Sequence, residues 1–516
     1  MPKWFNTAGP CQADIHYMLS PTARLPEVMQ LIDQRGYFII HAPRQVGKTT
    51  AMIALGEELT ASGAYTAVMV SAEVGAAFPD DLGKAEKAML NAWRGSAEAF
   101  LPSELQPPPW PEADAGRRLG AALSAWAKAS PRPLVVFIDE IDALQNEVLI
   151  GVLRQLRDGY PSRPQAFPQS LALIGLRDVR DYKVASGGSE RLGTASPFNI
   201  KVESFTMRNF TAEEVAELYQ QHTDLTGQIF EPNVLTSVFE LTNGQPWLVN
   251  ALAREMTQKL IKDPSQAITV ADLFQAKENL IQRNDTHLDS LAERLREPRI
   301  RRILEPMLAG EDLGEIPPDD RQFAVDLGLV RRHPAGGLVI ANPIYREVMP
   351  RMLAGGPRDS LPLIAPTWLD EQGRLIPEAL LTAFLKFWRQ HGQPLLKSAP
   401  YHEIAPHLVM MAFLHRVVNG GGTLEREYAI ASRRMDLYLR YGEVAIAIEL
   451  KVWRDGRRDP LPEGLEQIDD YLAGLGLDWG WLVIFDRRSG LPDIEERTTR
   501  EEAVTATGRK ITVVRG

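Results

Sequence analysis

From residue 36 onward, short continuous apolar runs alternate with longer stretches of helical period. The runs fall at 36–41, 66–73, 134–140, 171–176 and 198–204. Runs of this kind, apolar on consecutive positions, suit strands buried on both faces, and their alternation with helices predicts an α/β domain with a parallel sheet covered on both sides. After about Thr206 the strand signal stops. Helical patterns follow at 210–223 and 246–260, the first with Thr211 at the N-cap ahead of acidic first-turn residues, so a small helical lid is expected on the sheet domain.

Between about Ser290 and Leu353 come helices and then two short strands joined by a Pro/Gly turn, 328–343, an order that resembles a winged helix. The Pro- and Gly-rich stretch 354–368 reads as a linker. Helices resume from about Pro377 to Val418. A second group of strands follows at 427–441 and 443–452, then a helix at 464–475 and a strand at 480–485. The expected division is a core at 1–205, a lid at 206–288, the winged-helix-like region at 289–356, a linker at 357–376 and a final domain at 377–516.

A chain of 516 residues exceeds what one hydrophobic core organises, and 44% hydrophobic with 24% charged residues is a globular composition. The net charge of -10 excludes a protein that coats nucleic acid over its whole surface, so any such contact must be local. Arginines cluster at Arg294, Arg296, Arg299, Arg301 and Arg302, at Arg433 and Arg434, and at Arg454, Arg457 and Arg458; taken singly, such clusters are solvated faces. Cys11 is the single cysteine, which excludes an intrachain disulfide and a cysteine-based zinc site. With no apolar run long enough to span a bilayer and no leader-like start, a cytoplasmic protein outside the membrane is expected.

Candidate chemistry lies at both ends. Ala42, Pro43, Arg44, Gln45, Val46, Gly47, Lys48, Thr49 and Thr50 follow an apolar strand and open a helix, the setting in which backbone N–H groups face phosphates. Lys48 adds a charge at the β and γ positions, and Thr49 offers a hydroxyl to Mg²⁺. Ala42 stands where the usual motif has its first glycine. Asp139 and Glu140 end the run 134–140, at the strand edge where ligands bind in such sheets. Asp139 is the expected magnesium ligand and Glu140 the group that orients or deprotonates water. These residues, with the texture of 41–50, 174–182 and 243–252, resemble the AAA-like and STAND-type P-loop ATPases of the additional-strand class, over about 5–353. The resemblance implies ATP and Mg²⁺ as cofactors, adjacent P-loop and acidic strands, Arg177 as a γ-phosphate sensor, and Pro246 as a nucleotide contact from the lid.

In the final domain, Asp436 lies on one β-rich segment and Glu449 and Lys451 close the next. Alternation puts Glu449 and Lys451 on one face and Leu450 on the other. Two carboxylates on adjacent strands can hold Mg²⁺, and Lys451 can orient a nucleophile or neutralise charge. Gln467 and Tyr471, spaced i and i+4, share a helix face. The set Asp436, Glu449, Lys451 and Gln467 resembles the PD-(D/E)xK nucleases, which implies an α/β/α nuclease-like domain; an upstream helical acid is a further metal ligand in that superfamily, and Glu403 is the candidate here. The function expected is nucleotide control of a Mg²⁺-dependent DNA endonuclease, with DNA bound locally and a nucleotide-dependent homo-oligomer. The alternative is a STAND-like scaffold ATPase whose nuclease-like domain binds nucleic acid or a partner without cutting. The winged-helix-like hairpin, with Arg331, Arg332 and His333, suits either.

Overall fold

A computed structural model describes residues 3–176, 200–283, 291, 294–295, 297–309, 313–353, 366–398, 405–418, 422–430 and 433–516. The chain packs as two compact units, Met1–His287 with Pro317–Asn342, and Leu288–Ile316 with Pro343–Gly516. Among the described residues no helix is long and apolar enough to cross a membrane.

The first unit is built on the five apolar runs, which form β1 (Tyr37–His41), β2 (Thr66–Ser71), β3 (Leu134–Asp139), β4 (Ser170–Gly175) and β5 (Lys201–Thr206). They pair in the order β2-β3-β4-β1-β5, every pairing parallel. Alternate residues feed two cores: Ile39, Val136 and Leu171 pack to one side, Phe38, Phe137 and Ala172 to the other. That is why β1 to β4 are mostly apolar, whereas β5, at the sheet edge, is half-exposed and carries Lys201, Glu203 and Ser204. One expectation fails here. β4 lies between β1 and β3, so the loop-bearing and acidic strands are not adjacent. The parallel crossovers insert the later strand between them, and their C-terminal ends still share one edge of the sheet.

The segment expected to form the lid comprises helices Ala212–Thr226, Pro232–Thr242, Pro246–Arg254 and Val270–Arg283. Thr211 caps the first in a full capping box with Glu214, as its sequence position foretold. Also in this unit is the antiparallel hairpin of β6 (Val330–Arg332) and β7 (Leu338–Ile340), preceded by the helix Pro318–Asp326.

The second unit carries a six-stranded mixed sheet, β12-β13-β11-β10-β9-β8. Its strands are β8 (Gly422–Ile430), β9 (Arg433–Tyr441), β10 (Val444–Trp453), β11 (Trp479–Asp486), β12 (Thr499–Val504) and β13 (Lys510–Arg515). The helix Leu461–Leu475 covers one face through Ile468, Tyr471 and Leu472 against Ala447, Leu482 and Ile484. Trp388, on the helix Pro377–Ser398, meets Phe485 on the opposite face with ring centroids 4.9 Å apart. Two expectations change. The segment 427–441 is two antiparallel strands that reverse between Ile430 and Arg433, where no Gly or Pro marks a turn. The hairpin β12–β13 was also unforeseen, because β12 is an exposed edge strand of charged residues with no apolar signature.

Candidate nucleotide site and candidate carboxylate–lysine site

Loop 42–50 follows β1 and feeds the helix Lys48–Ala61 through left-handed backbone at Gln45, φ 60°, and at Gly47, φ 96°. Gly47 meets that geometry without a Cβ penalty. Ala42 is fully buried, so the position that usually holds the first glycine is filled by a small core residue at the strand end. Lys48 Nζ curls back onto the carbonyls of Ala42, at 2.7 Å, and Pro43, at 2.9 Å. Burial pushes its ammonium below the ordinary lysine range, while Asp139, Glu140 and Asp142 pull it back up.

Asp139 ends β3 and is 4% exposed. Its Oδ2 accepts from Thr49 Oγ1 at 2.8 Å, and its Oδ1 from the Glu140 N–H at 2.9 Å. Burial raises the Asp139 pKa against these bonds. Glu140 takes a left-handed conformation, φ 54°, which turns the chain sharply out of the strand. Its carboxyl is pushed up by burial, then by the charges of Asp142 and Asp139. Asp142 thus belongs to the acidic group, although the sequence reading gave it no role; the run Asp-Glu-Ile-Asp was the available signal. Arg177 lies outside the described residues.

A cleft adjoins the loop on its other side. Gln45, Val46, Gly47 and Thr50 line it together with Pro246 and Asn250 of the lid. Pro246 therefore lines the same cleft as the loop. The outer wall is the N-terminal segment, which lies in the same unit and is stitched to the lid: Trp247 Nε1 donates to the Thr7 carbonyl at 2.9 Å, and Met18 exchanges two bonds with Gln221. Asn250 Nδ2 donates to the Pro246 carbonyl at 2.8 Å, leaving Oδ1 without a partner. Arg24 is the second residue that the sequence reading missed. Its guanidinium lines the cleft at 4.9 Å from the centre of the Phe210 ring, and burial pushes its pKa down to about 10.

In the second unit, the pairing of β9 with β10 sets Ile448 against Leu437, so Asp436 and Glu449 follow one step beyond. Asp436 Oδ2 accepts from the Leu450 N–H at 2.8 Å. Glu449 is 3% exposed, and its Oε1 lies 3.0 Å from Lys451 Nζ. Lys451 also donates to Gln467 Oε1 at 2.5 Å, and Gln467 Nε2 donates to Glu463 Oε1 at 3.1 Å. Glu449 Oε2 is buried without a hydrogen-bond partner. Burial and the neighbouring Asp436 charge push its carboxyl up to about 8. Burial works to lower Lys451, and the Glu449 charge overrides it, holding the ammonium above its ordinary range. Two crowded carboxylates with an orphaned oxygen are a donor set that a hard cation would satisfy. Glu403 lies outside the described residues; Pro406, which follows it, sits in the first turn of the helix Ala405–Val418, where proline is well accommodated. Among the described residues no group of three His, Cys, Asp or Glu side chains is arranged to hold a metal.

No protein-family model matches the chain, and no curated protein matches it. Solved structures do. A Walker-type ATPase of Pyrococcus abyssi aligns with 66% of this chain and 98% of its own at 12% identity, TM-score 0.47. The RuvB Holliday junction branch migration motor of Thermotoga maritima aligns over 62% and 90% at 14% identity, TM-score 0.33. Cdc6p of Pyrobaculum aerophilum aligns over 80% and 97% at 10% identity, TM-score 0.38. On its own strand order, with loop 42–50 after β1 and Asp139 closing β3, the first unit has the parallel-sheet α/β fold of P-loop ATPases.

Proposed function

We propose that the first unit binds and hydrolyses ATP with Mg²⁺, and that its nucleotide state controls a Mg²⁺-dependent DNA endonuclease in the second unit. Lys48 and the N–H groups of loop 42–50 hold the phosphates. Thr49 and Asp139 hold the ion, and Glu140 takes a proton from the attacking water. Arg177 reads the γ-phosphate, and Pro246 meets the nucleotide from the lid. The winged-helix-like segment serves as a docking element for nucleic acid or for another part of an assembly.

The observation that carries the nuclease reading is the convergence of Glu449, Lys451 and Gln467 at one end of β10, with Asp436 held beside them by the Leu450 N–H. Asp436 and Glu449, with Glu403, would hold the magnesium, which when bound polarises a phosphodiester and lowers the pKa of water. Lys451 orients the water or neutralises charge growing on the phosphate, and Gln467 fixes where Lys451 points.

The test uses the full chain with Mg²⁺, ATP and DNA. Cleavage that is lost in Lys451→Ala and altered in Lys48→Ala supports coupling of the two sites. Cleavage that survives Lys451→Ala sinks the nuclease assignment. An oligomer that forms with ATP while DNA stays intact in every metal would instead favour the scaffold function.

A further inference from the structure

We propose that Arg24 is a second cation of the nucleotide site, placed to meet the α-phosphate end of a nucleoside polyphosphate. This rests on the reading of loop 42–50 as a phosphate-binding loop. The loop has two sides. Lys48 Nζ points toward the Ala42 and Pro43 carbonyls and Thr49 toward Asp139, which is the end for the β- and γ-phosphates and the ion. The cleft touches Gln45, Val46, Gly47 and Thr50 instead, the turn and first helical residues that face the α-phosphate and nucleoside.

Arg24 stands at the boundary of the two. Its Nη1 donates to the Val46 carbonyl at 2.9 Å and to the Arg208 carbonyl at 3.0 Å. Its Nη2 lies so close to the loop that a Cβ added at Gly47 would come within 3.0 Å of it. Neither Nη2 nor Nε donates to any described residue. The nearest acid, Glu214, is occupied: it takes Arg208 in a two-pronged pair at 2.6 and 2.8 Å and closes the capping box with Thr211. A half-buried guanidinium with no carboxylate in contact and a free edge on the turn of loop 42–50 is an arrangement that a phosphate oxygen completes. The same residue ties the loop at Val46 to the connection at Arg208 between β5 and the helix Ala212–Thr226, so phosphate bound at Nη2 would link both through one side chain.

The test is titration calorimetry of the full chain with Mg·ADP and Mg·ATP, joined to phosphorus NMR of bound Mg·ADP. In Arg24→Gln, both affinities should fall roughly tenfold or more, as for loss of a charge-assisted contact. In Arg24→Lys, which keeps the charge but not the fork, the α-phosphorus resonance should move while the β resonance stays. Lys48→Ala should instead move or abolish the β resonance. Unchanged nucleotide affinity in Arg24→Gln overturns the proposal. So does an unmoved α resonance in Arg24→Lys, whether or not Arg24→Gln folds, because Arg24 would then be only a clamp between the loop and the segment at Arg208. A wild-type chain that binds neither nucleotide refutes the underlying loop reading, a result distinct from both.

Discussion

Thr49 Oγ1 donates to Asp139 Oδ2 across 2.8 Å, joining the loop after β1 to the end of β3 over the intervening β4. On the proposed reading of the site, the bond holds together the two oxygens that would meet the ion. Thr49→Ala removes one ligand and leaves Asp139 buried with a lost donor, so Mg²⁺ should no longer improve ATP affinity. Thr49→Ser should retain most of the effect. The measurement is the ratio of ATP affinities with and without Mg²⁺; a ratio unchanged in Thr49→Ala would remove Thr49 from the ion site.

Glu140 is positioned differently from Asp139. Its N–H is spent on Asp139 Oδ1, while its own carboxyl is raised by burial and by the two neighbouring acids, as suits a base that must hold and release a proton. Glu140→Gln should leave ATP binding within a few-fold of wild type and slow single-turnover hydrolysis by about 10²–10⁴. Loss of binding to the same extent as hydrolysis would make Glu140 a structural residue.

Glu449 links the second site to stability. Its carboxyl ionises near 4.5 when unfolded and is pushed up to about 8 when folded. The folded chain therefore holds the extra proton between those values, and the stability due to this group is present below about 4.5 and is lost as pH rises through about 8. In metal-free protein, urea unfolding of the second unit should show a midpoint that falls across that window, and Glu449→Gln should flatten the fall. Mg²⁺ should oppose the loss at the alkaline end, because it takes the ionised carboxylate. Lys451→Ala leaves Glu449 without its counter-ion and should cost about 1–3 kcal/mol above about pH 8, where the carboxyl is ionised, and less below it, where the carboxyl holds a proton.

Much of the first unit was legible because parallel strands buried on both faces leave continuous apolar runs, as β1 to β4 do; β5, the half-exposed edge strand, was found from the β-rich run that overlaps it. Thr211 was legible for a local reason: a cap acts through its own backbone. Strand order was not legible, since which strand fills the gap beside β1 depends on crossovers and not on any one segment. β12 hid behind its charges, and the reversal between β8 and β9 lacked a turn residue. Glu449 and Lys451 could be placed on one face from alternation alone. Arg24 could not be found that way: its role arises from contacts with Val46 and Arg208, distant in sequence, and nothing in Pro-Thr-Ala-Arg marks it.

Gly244 shows how tightly the lid is set against the cleft. It sits at φ 68° immediately after Asn243 at φ 46°, and these two left-handed residues end the helix Pro232–Thr242 before Pro246 opens the next. The Phe210 N–H donates to the Gly244 carbonyl at 2.9 Å, and a Cβ on Gly244 would fall 1.9 Å from the Phe210 carbonyl oxygen. Gly244→Ala therefore meets both a left-handed penalty of about 1 kcal/mol and a backbone collision that only separation of the two segments relieves. A total loss of about 3 kcal/mol or more is expected, with a drop of several degrees in the melting temperature of the first unit. Because Phe210 and Pro246 both line the cleft, nucleotide affinity should fall with it. Asn243→Gly, which relaxes the neighbouring left-handed residue but loses the Asn243 Nδ2 bond to the Ala341 carbonyl at 2.7 Å, should cost no more than about 1 kcal/mol and leave nucleotide affinity near wild type. Equal melting temperatures for Gly244→Ala and wild type would mean that the Phe210–Gly244 clasp is not maintained in solution.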